Sequence, residues 1–245
     1  MKISSTVQCV FGLLCLCGLS ISDTGAETAA VEDNSALTFS VCPSSATNPR
    51  NSEGDIEVLN DGSLLLAWSR FSGSEDHAQA VIAAKISRDG GRTWEEERIL
   101  QENTGKQNVM SVSLLRLQSG AILFFFLQKN ADDDLQLYVR ESRDEAKTWS
   151  DPLRVTQGDG YFIMNNARAI QLQSGRILAP IAFCPDIGKD YLRQVCFCYY
   201  SDDEGKHWQK GSGEVALPGT AAMEPGLIER KDGSEIGRAS CRERV

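Results

Sequence analysis

Histidine is nearly absent, with only His77 and His207 in 245 residues, and no Cys-x-x-Cys pair occurs. The usual nitrogen and sulfur ligand sets of a structural metal site are therefore missing, and neither a metal nor an organic cofactor is expected. Basic side chains are also scarce, 25 against 34 acidic ones for a net charge of -9, which excludes the basic face that nucleic acid requires. Long apolar runs are confined to Val7–Ile21, shorter than the ~20 residues of a membrane span, after Met1-Lys2 and before the small residues Thr24-Gly25-Ala26. This reads as a secretory signal peptide over 1–26, with a membrane anchor as the alternative, and places the mature chain outside the cell or in the periplasm, off the membrane. A lipoprotein is disfavoured because Leu16 precedes Cys17.

Export removes Cys9, Cys15 and Cys17 and leaves Cys42, Cys184, Cys196, Cys198 and Cys241, an odd number, in a disulfide-permissive compartment. Cys184 pairing with Cys196 or Cys198 and buried thiols both stay open. With 41% hydrophobic and 24% charged residues, the remainder has the composition of a folded chain of one or two domains.

What is present is repetition. Ser87-Arg-Asp89-Gly-Gly91-Arg-Thr93-Trp94 returns as Ser142-Arg-Asp144-Glu-Ala146-Lys-Thr148-Trp149 and as Ser201-Asp-Asp203-Glu-Gly205-Lys-His207-Trp208. In phase with it run the turn dipeptides Asp61-Gly62, Ser119-Gly120, Ser174-Gly175 and Asp232-Gly233, with glycine spacings of 58, 55 and 58. Apolar runs follow the first three, as in Leu64–Trp68, Ile122–Leu127 and Ile177–Ile181. Each unit reads as four short antiparallel strands, and such units at this period predict the blades of an all-β propeller. In the eight-residue motif the acid is expected to accept bonds from its own turn, the glycine to supply positive φ and the tryptophan to fill the seam between sheets. Asp89, Asp144 and Asp203 are thus structural, and Ala146 in place of glycine predicts about 1 kcal/mol of strain.

Counting nine residues back from each hairpin glycine gives Glu53, Ser111, Asn166 and Glu224; seven back gives Asp55, Ser113, Arg168 and Gly226. Polar residues recurring at the start of an inner strand are what lining a central pocket requires, and strands that simply begin in solvent are the alternative. The runs Asp132-Asp133-Asp134 and Glu95-Glu96-Glu97 are expected to be solvated loops, with calcium sites as the alternative.

The motif Ser-x-Asp-x-Gly-x-Thr-Trp is the Asp box. Three copies in phase with Gly hairpins, together with Ala169-Ile-Gln-Leu-Gln-Ser-Gly175-Arg-Ile-Leu-Ala-Pro180, make residues 49–234 resemble the bacterial sialidases, six-bladed β-propellers. The resemblance implies an exo-α-sialidase that releases terminal sialic acids from glycoconjugates by a retaining mechanism. Its parts are an Asp acid/base, a Tyr nucleophile assisted by Glu, and three arginines on the substrate carboxylate. A neutral nucleophile avoids the repulsion an anionic one meets at a carboxylate-bearing carbon. Sialylated glycans or glycoproteins are the implied partners. By the same resemblance Asp76, in the loop eleven residues before Ser87, takes the acid/base position with Glu75 as its competitor. Arg70 takes that of an arginine beside it on the sugar, and Glu224 that of the glutamate partnering the tyrosine. Arg50 is the candidate for the first arginine, although Pro49-Arg50-Asn51-Ser52 departs from the family's Arg-Ile-Pro and lies about two residues too far from Gly62, which keeps a phosphate or surface role open. Glu53, Asn166 and Arg168 join as substrate-binding candidates from the blade phase. A sialidase-like hydrolase of another sugar and a non-catalytic glycan-binding propeller are the competing readings.

Residues 27–48 read as a leader. After Ser234 the repeat calls for an apolar strand, yet Glu235-Ile-Gly-Arg-Ala-Ser-Cys-Arg-Glu-Arg-Val245 follows, so no strand is expected there and 235–245 are expected to be foreign. That leaves three blades and the first strand of a fourth. The nucleophilic tyrosine and two arginines are then expected outside this chain, none of Tyr138, Tyr161, Tyr191, Tyr199 or Tyr200 standing at a matching position, and the chain alone is expected to be inactive.

Overall fold

The computed structural model describes residues 38–243, apart from positions 186 and 218. The signal-peptide segment and its three cysteines lie outside the described residues. The described chain is built of β-strands with one short 3-10 turn, Tyr191–Arg193. The first blade is β1 (Arg50–Val58), β2 (Leu64–Phe71), β3 (Ala80–Ser87) and β4 (Arg98–Gln101), each antiparallel to the next. The second is β5 (Asn108–Arg116), β6 (Ile122–Ala131), β7 (Asp134–Ser142) and β8 (Leu153–Arg154).

The third blade departs from the simple repeat. Its inner strand is split into β9 (Tyr161–Ile163) and β10 (Ile170–Gln171), both pairing with β11 (Ile177–Cys184), which continues into β12 (Val195–Ser201) and β13 (Gln209–Ala216). The break spans residues 164–169, where Ala167 has φ 54° and the chain leaves the ladder. A single parallel bridge, Leu135 to Tyr161, joins the second blade to the third.

β14 (Thr220–Glu229) and β15 (Glu235–Glu243) form a hairpin. The expectation of no strand after Ser234 is corrected here. The Asp232-Gly233 turn, with Arg230 N–H donating to Ser234 O at 2.7 Å, feeds 235–243 back onto β14 through main-chain bonds. An exposed edge tolerates polar side chains, so backbone pairing sufficed where the apolar pattern failed.

Both faces of the middle blade are buried, which is why Ile122–Leu127 reads as an uninterrupted apolar run. Leu123, Phe125 and Leu127 turn to the third blade, while Ile122, Phe124 and Phe126 turn to the first. Each such side chain contributes roughly 1.5–3 kcal/mol by leaving water. The Asp-box tryptophans fill the seams: Trp208 meets the Phe125 ring edge-on at 5.7 Å and Trp149 meets Phe124 at 5.5 Å. Trp94 packs with Leu66 and Trp68 on the outer face of the first blade, under Val41 and Cys42.

The boxes themselves are self-contained turns. Asp89 accepts from the Thr93 hydroxyl at 2.6 Å and its N–H at 2.8 Å, and Asp144 does the same with Thr148. These bonds, the threonine hydroxyl's first, hold both carboxyls down to about 2. Partial burial pushes Asp203 up, but the His207 side chain and N–H outweigh it and bring it to about 2. Ala146 adopts φ 60° where the other boxes have glycine.

Candidate active site

The four positions counted back from the hairpin glycines coincide with a structural feature. Glu53, Ser111 and Glu224 all have left-handed φ, 56°, 57° and 49°, and each sits at a break in the register of its inner strand. A bulge of this kind turns one side chain out of alternation toward the axis around which the blades are arranged. Non-glycine residues held there carry strain that the surroundings must support. In the third blade the left-handed residue is Ala167, one beyond Asn166.

Of the seven-back positions, Arg168 and Gly226 line a cavity of about 240 Å³, whereas Asp55 and Ser113 do not line it. Asp55 accepts the Leu114 N–H at 2.8 Å, and Ser113 accepts those of Arg168 and Ala169 at 3.1 Å each. Each therefore ties its own inner strand to that of the next blade. Burial pushes the Asp55 carboxyl up to about 6, against the pull of the Leu114 and Ile56 N–H groups. Asn166 is likewise a tie, its Nδ2 donating to Gly54 O at 3.0 Å between the third blade and the first.

Arg50 is the centre of the charged group. Its Nη1 lies 2.5 Å from Asp76 Oδ1 and its Nη2 3.5 Å from Glu53 Oε1, while the guanidinium covers the Phe71 ring at 4.2 Å. The Asp76 side chain is 69% exposed, at the rim, and its loop is held from below by Asn108 Nδ2, which donates to the carbonyls of Asp76 and Ala78 at 2.8 Å each. Glu53 accepts from Ser69 Oγ at 3.2 Å and Ser111 N–H at 3.3 Å. Burial raises its carboxyl above the ordinary range, Arg50 opposing and Asp76 adding to the rise.

Arg70 is not beside Asp76. It pairs in register with Asn51, whereas Phe71 pairs with Arg50, so alternation turns Arg70 to the other face of the sheet. There its guanidinium is ion-paired with Glu97 at a cavity of about 520 Å³ that Asn48 and Asn103 also line. Glu224 is exposed at the bulge of β14. Arg168 Nε is buried without a hydrogen-bond partner among the described residues, beside Gly226. The structure thus joins Arg50, Glu53 and Asp76 directly and leaves Arg70 apart.

Two contributors escaped the sequence reading, Phe71 and Lys129, and Tyr161, which it set aside as a nucleophile, lies with Lys129. Lys129 is buried, with its ammonium 5.7 Å from the Tyr161 ring centre. Burial, then the negative charges of Asp76, Asp132 and Glu53, push the Tyr161 hydroxyl up to about 12. That is the opposite of what an activated nucleophile needs. The only signal in sequence was a lysine closing an otherwise apolar run.

Of the acidic runs, Asp134 accepts from Asn130 and Gln136, Glu95 pairs with Arg88, and Asp132 lies 4.0 Å from Lys129. The thiols of Cys184 and Cys196 donate to the carbonyls of Asp190 and Ala222, and burial pushes the Cys198 thiol up to about 11.

A family model described as a BNR repeat-like domain matches residues 62–243. The sialidase of Paraclostridium sordellii is 25% identical over 185 residues, which cover 64% of this chain and 45% of that protein. The sialidase of Clostridium perfringens is 24% identical over 203 residues, 71% of this chain and 51% of that protein. The chain therefore spans about half the length of the curated relatives it matches. Among solved structures, a protein of unknown function from Dyadobacter fermentans superposes with TM-score 0.69 at 18% identity, over 82% of this chain and 65% of its own. Trypanosoma rangeli sialidase, in its covalent complex with 2,3-difluorosialic acid, gives 0.61 at 18% identity, over 83% of this chain and 35% of its own. These likenesses establish a sialidase-like propeller fold, present here as three blades and a hairpin.

Proposed function

The chain belongs to the BNR repeat-like domain family, and from that premise we propose that the protein is an exported exo-α-sialidase, releasing terminal sialic acids from glycans or glycoproteins. The observation that carries the reading is the Arg50 guanidinium, laid on Phe71 and joined to both Asp76 and Glu53. A planar, permanently charged fork at that point suits a substrate carboxylate.

The chemistry follows from exchange of one carboxylate for another. Asp76 occupies Arg50 Nη1. A substrate carboxylate arriving at Arg50 displaces it. Released from Arg50, the Asp76 side chain at the rim turns to the leaving group. It becomes the acid that protonates the leaving glycosidic oxygen and, as the base, later activates water. Glu224 takes the place of the carboxylate that draws the proton from the nucleophilic tyrosine, a residue that Tyr161 does not supply.

Release of sialic acid from sialyllactose by the whole protein tests this. Asp76→Asn is expected to lose at least about 100-fold in turnover, the usual worth of a general acid. Full activity in that variant removes the role given to Asp76, and binding of sialylated glycans without turnover identifies a binding propeller instead.

A further inference from the structure

Lys129 is a buried charge that the proposed chemistry does not use. It closes the apolar stretch of β6 on the same face as Leu123, Phe125 and Leu127, and so emerges at the end of the seam between the second and third blades. Only 7% of its side chain is exposed. Its ammonium lies 4.0 Å from Asp132 Oδ1 and 5.7 Å from the centre of the Tyr161 ring, and among the described residues no acceptor comes within hydrogen-bond distance. An ammonium has three N–H donors, and Nζ, unlike Asn108 Oδ1, is not sealed from solvent, so they can be reached from outside.

The surroundings point to what would use them. Asn108, the cross-strand partner of Lys129, holds the Asp76 loop through its Nδ2, while its own Oδ1 is buried with no partner among the described residues. The ends of two adjacent strands thus steady the Asp76 loop and also carry unspent donors and an unspent acceptor. Charge decides the class of ligand. Asp132 already balances Lys129, and Asp76 and Glu53 are close enough to act on Tyr161. No net positive charge is left to call for a second anion, whereas neutral oxygens would use both the donors and the acceptor.

We propose that Lys129, with Asn108 Oδ1 beside it, determines specificity by hydrogen-bonding hydroxyl or acyl oxygens on the sugar whose carboxylate Arg50 holds. The proposal rests on the sialidase reading, and its test separates the two. Ligand-observed NMR on the whole protein compares N-acetylneuraminic acid with tetrahydropyran-2-carboxylate, which keeps the ring and the acid but lacks the hydroxyl and acyl oxygens. The unmodified protein is expected to prefer the sugar. Lys129→Met keeps the apolar stem and is expected to lower that preference about fivefold or more, with affinity for the bare ring acid unchanged, which a merely structural role would not produce. Near-UV circular dichroism establishes that the variant is folded, and Lys129→Gln takes its place if it is not, with a smaller fall in the same direction. An unchanged preference in a folded variant, or no preference in the unmodified protein, overturns the proposal alone. Failure of the unmodified whole protein to bind either probe overturns the sialidase reading and the proposal with it.

Discussion

Asn166 Nδ2 donates to the carbonyl of Gly54 at 3.0 Å, joining residues 112 apart in sequence. The contact connects the break in the third inner strand to the bulge of the first, where Glu53 is turned toward Arg50. Gly54 is required there by proximity, not by its φ: a Cβ would lie 2.9 Å from Ala67 O and 3.2 Å from Trp68 Cβ. Asn166→Ala is expected to cost about 1 kcal/mol, the net worth of one hydrogen bond, and Gly54→Ala about 1–3 kcal/mol through overlap with backbone that cannot yield. Urea midpoints rank the two, and an Asn166→Ala midpoint equal to that of the unmodified chain removes the tie.

The repeat period, the hairpin glycines and the Asp-box turns were all legible because each is a local signal: a turn dipeptide, an alternation, a short acid beside its own N–H groups. Counting back from the glycines singled out Glu53, Ser111 and Glu224 as one recurring position, and the structure shows that position to be a bulge. The count failed at Asp55, Ser113 and Asn166, where the side chains serve a neighbouring blade and the partner is set by how blades stack. Arg70 failed for a different reason. Its separation from Asp76 along the chain was right, but facing is decided by register, and Arg70 shares its register with Asn51.

Arg50→Lys is expected to weaken binding of sialic acid about tenfold or more while leaving the fold intact. Lysine keeps the charge but loses the fork that reaches Asp76 and Glu53 together and the flat face that covers Phe71. A titration that finds equal affinity for the two proteins rejects Arg50 as the carboxylate-binding residue.

Stability is expected to peak near pH 4. The Asp55 carboxyl stands at about 6 when folded against an ordinary 3.8, so the unfolded chain ionises first; the stability is present in full below 3.8 and is lost as pH rises through about 6. Glu53, also raised by burial, acts in the same sense. Asp89 and Asp144, at about 2, act in the opposite one, with stability present above 3.8 and lost as pH falls through about 2. Urea midpoints recorded from pH 2 to 7 should trace both limbs, and Asp55→Asn should flatten the limb between pH 4 and 6 while sparing the acid one. An Asp55→Asn profile that keeps its upper limb would show that the pH dependence arises elsewhere.

The second Asp box departs from its sisters in one bond. Trp94 and Trp208 donate their indole N–H to the carbonyls of Gly91 and Gly205 at 3.0 and 2.9 Å. At the equivalent place Arg98 Nη2 bonds the Ala146 carbonyl at 2.9 Å, and the buried Trp149 Nε1 has no partner among the described residues. Ala146 is fully buried as well as left-handed, so its methyl fills space that a glycine would leave empty. Ala146→Gly is therefore expected to change stability little, relief of about 1 kcal/mol of backbone strain being offset by loss of about 0.8 kcal/mol of buried methyl. The reverse change, Gly205→Ala, has no such offset: φ is 87° and the new Cβ would lie 3.1 Å from Leu123 Cδ1. A cost of about 1–2 kcal/mol is expected there. Thermal melts of the two variants side by side decide the matter, since strain alone would make Ala146→Gly clearly stabilising and packing alone would make it clearly destabilising.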